Sequence, residues 1–291
     1  MSILTIHRKT VILAAVAVAS ILIMAALQYR AVNDYRSTGE IRVLVSDIES
    51  NMLTLRRNEK DFLVRKDLQY SQKFMDNYRV TLRNVQGLRS DLHEIDIENR
   101  GVNRLIEILE IYKNKFLALV ELQKKIGFNH QDGLYGRLRE SIHKVEKLLA
   151  TYQQDKLSKD MLMLRRHEKD FMLRHDIAYM KHFDEDMAVM RANLSKTYLY
   201  PQVKNEITTA LTAYERDVKA LVSTTQQMGL TSDEGVHGEM KTSIHQSDEI
   251  LNELRKSTLS LEGDAGSDMI KQLIAFAGIV LVLILSVSWI S

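Results

Sequence analysis

The sequence predicts an all-α protein: two stacked four-helix bundles, built from six helices, between two transmembrane helices. Three observations lead there. Proline occurs once, at Pro201, and glycine only 12 times in 291 residues, while Leu, Lys, Glu, Arg and Met abound, so strand and turn signals are scarce. Two apolar runs without a charge, Val11–Leu27 and Leu273–Ile290, bracket the chain. A charged fifteen-residue stretch between them occurs twice.

The first apolar run follows His7-Arg8-Lys9. It is at the short end for crossing a hydrocarbon core. A signal peptide is the other reading, but Gln28-Tyr29-Arg30 offers no small-residue cleavage site and a matching anchor closes the chain. Read as spans, the runs give a cytoplasmic N-terminus at 1–10, a first transmembrane helix at 11–29 and a second at 269–290. Arg8 and Lys9 place the N-terminus inside, and Trp289 suits the inner interface. Residues 30–268 are then periplasmic, in a two-pass protein of a bacterial inner membrane. Any cytoplasmic output module is expected to lie outside this chain. The absence of cysteine excludes thiolate chemistry and disulfides and suits an extracytoplasmic location. A net charge of +2 with interspersed signs provides no basic arm for nucleic acid.

Residues 31–88 read as one long helix, with Val45, Ile48, Met52, Leu55, Phe62 and Leu63 on one face at a 3.6-residue period. Asn99-Arg100-Gly101 marks a break before a helix over about 102–126. Gly127 and Asn129–Gly133 form a turn, and another helix opens near Leu134. The polar run Gln153–Lys159 is a weak break, with Ser158 as an N-cap for a helix over 158–198. Tyr200-Pro201 ends that helix. A helix over 203–228, a turn at Gly229–Gly235 and a last helix from 236, loosened at Gly263–Gly266, complete the chain.

The doubled stretch is Leu53–Asp67, LTLRRNEKDFLVRKD, and Leu162–Asp176, LMLRRHEKDFMLRHD, with ten of fifteen positions identical. Tyr70 and Phe74 are answered by Tyr179 and Phe183. A second repeat lies in the turns: IGFNHQDGLYGRLRESIHKVE at 126–146 and MGLTSDEGVHGEMKTSIHQSD at 228–248 share three glycines and Ser-Ile-His. The fold should contain two related modules. At 1.5 Å per residue the 31–88 helix would reach roughly 85 Å, too tall for a single bundle with its partners. Stacking solves this, with a distal bundle over about 60–165 and a proximal bundle formed by about 30–59 plus 166–268.

On a helical wheel Glu59 lies in the buried stripe with Arg56 and Lys60 at its edge, and Glu168, Arg165 and Lys169 repeat the pattern. A buried carboxylate is expensive unless paired. One reading is therefore a Glu–Arg pair that fixes helix register. Arg139 and His143 lie one turn apart just off the stripe of their helix, and Lys241 and His245 repeat them. Arg56 and Lys241 lie at similar heights above the two spans. In the distal bundle Arg139 and Arg174 lie at similar distances from the turn near 156, so each bundle can bring cations from different helices to one level. Convergent Arg, Lys and His between helices suit a small di- or tricarboxylate, since guanidinium pairs with carboxylate through two hydrogen bonds. An ordinary boundary histidine is the other reading of His143 and His245.

The two spans, the duplicated RRxEKDF helix and the Gly-x-x-Gly…Ser-Ile-His turn resemble the helical bimodular sensor domain of bacterial chemoreceptors and some sensor kinases, over nearly the whole chain. The resemblance implies two stacked four-helix bundles, each with a ligand pocket. The proximal pocket would take citric-acid-cycle acids such as malate, succinate or citrate, and the distal one a smaller acid such as acetate. It places the proximal site on Arg56, Arg57, Lys60 and Lys241, and the distal site on Arg139, Arg165, Arg166 and Lys169. Lys241, standing where the first copy has Arg139, departs from bidentate recognition. No nucleophile–base pair, metal-ligand spacing or cofactor loop is recognisable, so an enzyme is not expected. The expected protein is a homodimeric receptor input region in which carboxylate binding shifts helix positions. The alternatives are the input domain of a sensor histidine kinase and a structural or protein-binding membrane bundle.

Overall fold

The computed structural model describes residues 3–95 and 100–290. Among these residues are eight α-helices and no strand: α1 (Ile3–Arg65), α2 (Leu68–Glu94), α3 (Arg100–Ile126), α4 (Gly133–Thr151), α5 (Asp155–Arg174), α6 (Ala178–Ser195), α7 (Pro201–Met228) and α8 (Gly235–Ile290). The chain is all-α, as its composition dictates.

The helix count differs from the expected six because both long helices are broken, and each break lies inside the doubled motif. α1 stops at Arg65, where Lys66 takes a left-handed conformation (φ 51°) while its N–H still donates to Phe62 O at 2.7 Å. Asp67 then opens α2, its Oδ1 accepting from the Gln69 N–H at 2.8 Å. The second copy repeats this. His175 has φ 54°, its N–H donates to Phe171 O at 2.8 Å, and Asp176 Oδ1 accepts from the Ala178 N–H at 2.9 Å. The final Asp of each motif is therefore a helix-start acceptor that satisfies a donor left open at the helix end. The residue before it stops the previous helix without glycine.

Three smaller expectations also change. α5 begins at Asp155 after Gln154, so Ser158 is helical rather than capping. α8 runs unbroken through Gly263 and Gly266. The break expected at Asn99-Arg100-Gly101 lies partly outside the described residues, and Gly101 itself is already helical. The side chains of Arg8, Lys9 and Trp289 are also outside them.

By packing, the chain divides into Met1–Leu53 with Arg79–Ile106 and Asp248–Ser291, and Thr54–Tyr78 with Glu107–Ser247. These bounds differ from the expected 60–165 and 30–59 plus 166–268. In the first unit Ile41, Val45, Ile48 and Met52 of α1, Val85 and Leu88 of α2, Leu105 of α3 and Leu251 of α8 are buried. Arg42 Nη1 lies 2.8 Å from Glu262 Oε2, tying α1 to α8. Both helices contain an apolar window long enough to cross a membrane, and Leu22 and Ile274 within these windows are exposed. Removing such side chains from water is the driving force for insertion.

The second unit holds both motif copies apart from Leu53 and is built twice. α5 packs on α6, α4 on α7, and α4 on α5. Phe183 of α6 meets Tyr214 of α7 edge-on, with ring centres 5.6 Å apart. In the other half Phe74 of α2 meets Tyr112 of α3 edge-on at 5.3 Å, and Phe62 of α1 meets Phe116 of α3 at 5.6 Å. Such edge-to-face rings add specific attraction to their burial. The repeats exchange their fourth helices. α4, from the first, packs on α5 and α7 of the second. α8, from the second, meets α1 through the Arg56–Ile244 hydrogen bond and α3 through the Lys115–Glu239 ion pair.

The glycine turns that launch these exchanged helices are alike in detail. Gly127 (φ 111°) and Gly229 (φ 120°) donate their N–H groups to Gln123 O and Thr225 O. A Cβ on either would fall well inside van der Waals distance of Asp132 O or Glu234 O, so only glycine fits.

Candidate functional site

Glu168 is the centre of the second half. Its side chain is 1 % exposed, although α5 puts three charged residues, Arg165, Arg166 and Lys169, within one turn of it. Burial of the carboxylate is offset by Tyr214, whose hydroxyl donates to Glu168 Oε2 at 2.9 Å. Burial, then the Glu168 charge, push the Tyr214 phenol far above its ordinary range, so it stays a donor. Lys169 Nζ lies 3.1 Å from Oε1, yet Oε1 accepts no hydrogen bond among the described residues.

The first half repeats the dyad. Tyr112, fully buried, donates to Glu59 Oε2. Burial raises the Glu59 carboxyl above its usual range, against the opposing pull of the Tyr112 hydrogen bond, Lys60 and Arg56. Both expected buried carboxylates are therefore buried or half-buried, and each has a tyrosine as its hydrogen-bond partner. Neither tyrosine belongs to the motifs that mark the site in the sequence. A signal for them is present all the same: Tyr112 and Tyr214 stand at the same 102-residue offset as the Gly-rich turns.

Glu168 forms the floor of a cavity of about 500 Å³ between α4 and α5. Arg139 and His143 line it from α4, and Arg165 and Lys169 from α5. Leu138, Ile142 and Met172 add apolar wall, and Asn129, His130 and Tyr135 line it from the turn and the start of α4. Of the five residues expected at the distal site once His143 is counted with Arg139, Arg165, Arg166 and Lys169, four thus meet around one space. Arg165 is held by Glu146 of α4, which also lies 3.5 Å from His143 Nδ1. Counting the wall charges gives three cations against Glu168 and Glu146, a net excess of positive charge. The fifth residue, Arg166, points elsewhere: it is exposed, with Nε 3.9 Å from Asp170 Oδ2 on its own helix.

The expected proximal residues are less gathered. Arg56 reaches Ile244 O on α8 at 3.4 Å. Lys241, on the same stretch of α8, is turned to Asp233 in the preceding loop, and that ion pair lowers the Asp233 carboxyl. Lys60 and His245 are exposed. Arg57 lines a different groove, with Asp61, Tyr70, Lys73 and Asp76 on the α1–α2 hairpin. A one-residue step along a helix turns the side chain by about 100°, which explains why adjacent arginines of each motif part company. Both candidate sites fall within the unit of Thr54–Tyr78 and Glu107–Ser247, rather than one in each unit.

Among the described residues no group of three or more His, Asp or Glu is placed to hold a metal ion. No protein-family model matches the chain, and no curated protein matches it in sequence.

Proposed function

We propose that the chain is the transmembrane input region of a bacterial chemoreceptor of the helical bimodular type, binding small carboxylates outside the inner membrane. On this reading the two spans of α1 and α8 anchor it, residues 30–268 are periplasmic and arranged as stacked bundles, and the working form is a homodimer. The observation that carries the reading is the cavity between α4 and α5. Arg139, His143, Arg165 and Lys169 converge there around a space with ample room for a small organic acid. Guanidinium groups from two helices favour a planar carboxylate over a point anion. A ligand that engages Arg139 and Arg165 together bridges α4 and α5 and so biases their separation. Any such shift works only through a difference in affinity between two helix arrangements.

Titration calorimetry of the full chain in lipid nanodiscs against malate, succinate, citrate and acetate tests this. The expected result is saturable heat with at least one acid, abolished by Arg139→Ala with helicity intact. No heat with any acid, in protein whose circular dichroism is fully helical, overturns it.

A second reading has its own support. The two Glu–Tyr pairs and the Arg165–Glu146 bond each tie one helix to another, as a purely structural bundle would need. It predicts that no small anion shifts the melting temperature and that Arg139→Ala, an exposed change, leaves it unaltered.

A further inference from the structure

We infer that the α4–α5 cavity selects carboxylates bearing a hydroxyl on the carbon next to the carboxylate, and that Glu168 is the residue that reads the hydroxyl. The inference rests on the carboxylate reading of this cavity and deepens it.

Glu168 lines the cavity although its side chain is 1 % exposed. Oε2 is taken by the Tyr214 hydroxyl at 2.9 Å, whereas Oε1 has the Lys169 ammonium 3.1 Å away but accepts no aligned hydrogen bond among the described residues. A buried oxygen in that condition favours a ligand that brings a donor. An unsubstituted acid brings none. It sets its own negative charge beside Glu168 and leaves Oε1 as it was. A 2-hydroxy acid does both tasks at once. Its carboxylate takes Arg139 or Arg165, and the hydroxyl, one carbon away, donates to Oε1. The floor and the walls of the cavity are arranged for that split.

The charge around Oε1 separates a hydroxyl from an ammonium donor. Lys169 Nζ already stands 3.1 Å from Oε1, and Arg165 and Arg139 line the same space. A second ammonium there would meet like charge, whereas a neutral hydroxyl would not. The same excess of positive charge favours a ligand that is anionic overall.

The test compares L-malate, succinate and L-aspartate, three four-carbon diacids that differ at one substituent, by calorimetry on the full chain in nanodiscs. Malate should bind about tenfold or more tighter than succinate, the size of one hydrogen bond to a charged group. Aspartate should not exceed malate. In Glu168→Gln the amide can still accept from Tyr214, and the ratio of malate to succinate affinity should collapse toward one while both still bind. Should that variant fail to fold, Arg139→Ala decides: the malate preference should be lost with it, and an unaltered preference overturns the inference. Equal affinity for malate and succinate, or an undiminished ratio in Glu168→Gln, overturns the inference. Tightest binding by aspartate overturns it in favour of an ammonium. Absence of binding by all three acids, with Arg139→Ala making no difference, overturns the carboxylate reading itself.

Discussion

Tyr214 of α7 donates its hydroxyl hydrogen to Glu168 of α5, and the two side chains are buried together, Glu168 at the cavity and Tyr214 behind it. The bond joins two helices of the α4–α7 bundle and holds in place the carboxylate on which the site is built. Removing the donor should leave Glu168 buried with neither oxygen hydrogen-bonded. Tyr214→Phe is expected to lower stability by about 1.5–3 kcal/mol, as for hydrogen bonds to charged groups. Chemical denaturation followed by circular dichroism measures it. In a Glu168→Gln background the same change should cost less, because the acceptor is then neutral.

The first copy of the dyad gives a pH dependence. Burial raises the folded-state pKa of Glu59 above its unfolded value. The folded protein therefore holds more protons than the unfolded one between the two values, and stability falls as pH rises through that window. The contribution is fully present below the unfolded value, near 4.5, and is lost above the folded one. Glu59→Gln removes the titration, so wild type should lose ground relative to the variant as pH is raised from about 4 to neutrality. Melting curves of the two proteins across that range would decide it. A difference independent of pH contradicts the assignment.

The motif turns make a prediction of opposite sign. Lys66 and His175 hold left-handed conformations that a side chain disfavours. Their side chains approach neighbouring rings only loosely, Lys66 Nζ at 5.7 Å from the Tyr135 ring centre and His175 at 6.5 Å from that of Phe171. Lys66→Gly and His175→Gly should therefore each stabilise, by up to about 1 kcal/mol. Lys66→Val should destabilise, because a β-branched residue is a poor fit there. Melting temperatures of the three variants check both directions.

At the launch of α4 and α8 the constraint is steric. Gly127→Ala and Gly229→Ala would each drive a methyl group into the backbone carbonyl of Asp132 or Glu234. Each should destabilise by more than about 1 kcal/mol, which melting curves would show. For Gly127→Ala the drop in carboxylate affinity should exceed that seen in Gly229→Ala, because Gly127 seats the loop and helix that carry Asn129, His130 and Arg139.

Much of this is legible in the sequence, for physical reasons that differ by residue. The duplication is plain because charged identities do not recur by chance at ten of fifteen positions. Helical spacing alone sets Arg139 level with Arg174; the resemblance is what groups Arg139 with Arg165 and Lys169, which share its cavity, while Arg174 Nε lies 3.8 Å from Asp170 Oδ1 on its own helix. The turn at Lys66-Asp67 is hidden because it uses neither glycine nor proline, and because Phe62 and Phe74 continue an apolar pattern across it. The motif's last Asp looks like one more surface charge, whereas it accepts the hydrogen bond that starts the next helix. Resemblance assigns Arg57 and Arg166 to the same sites as their neighbours, and a single step of helical rotation takes them out. Tyr112 and Tyr214 are inconspicuous because an aromatic on an apolar stripe is usually ordinary core.

The exchange of fourth helices between the repeats bears on ancestry. A shorter chain ending after α4 would have no α8 to pack on α1 and α3, and its own α4 would be left seeking an α5 and an α7. Two such chains, related by a twofold axis, would satisfy each other, each lending its last helix to its twin. The cavity would then lie at a subunit boundary and occur twice, with identical walls. Joining such twins end to end would free the halves to differ, as they do where one has Arg139 and the other Lys241.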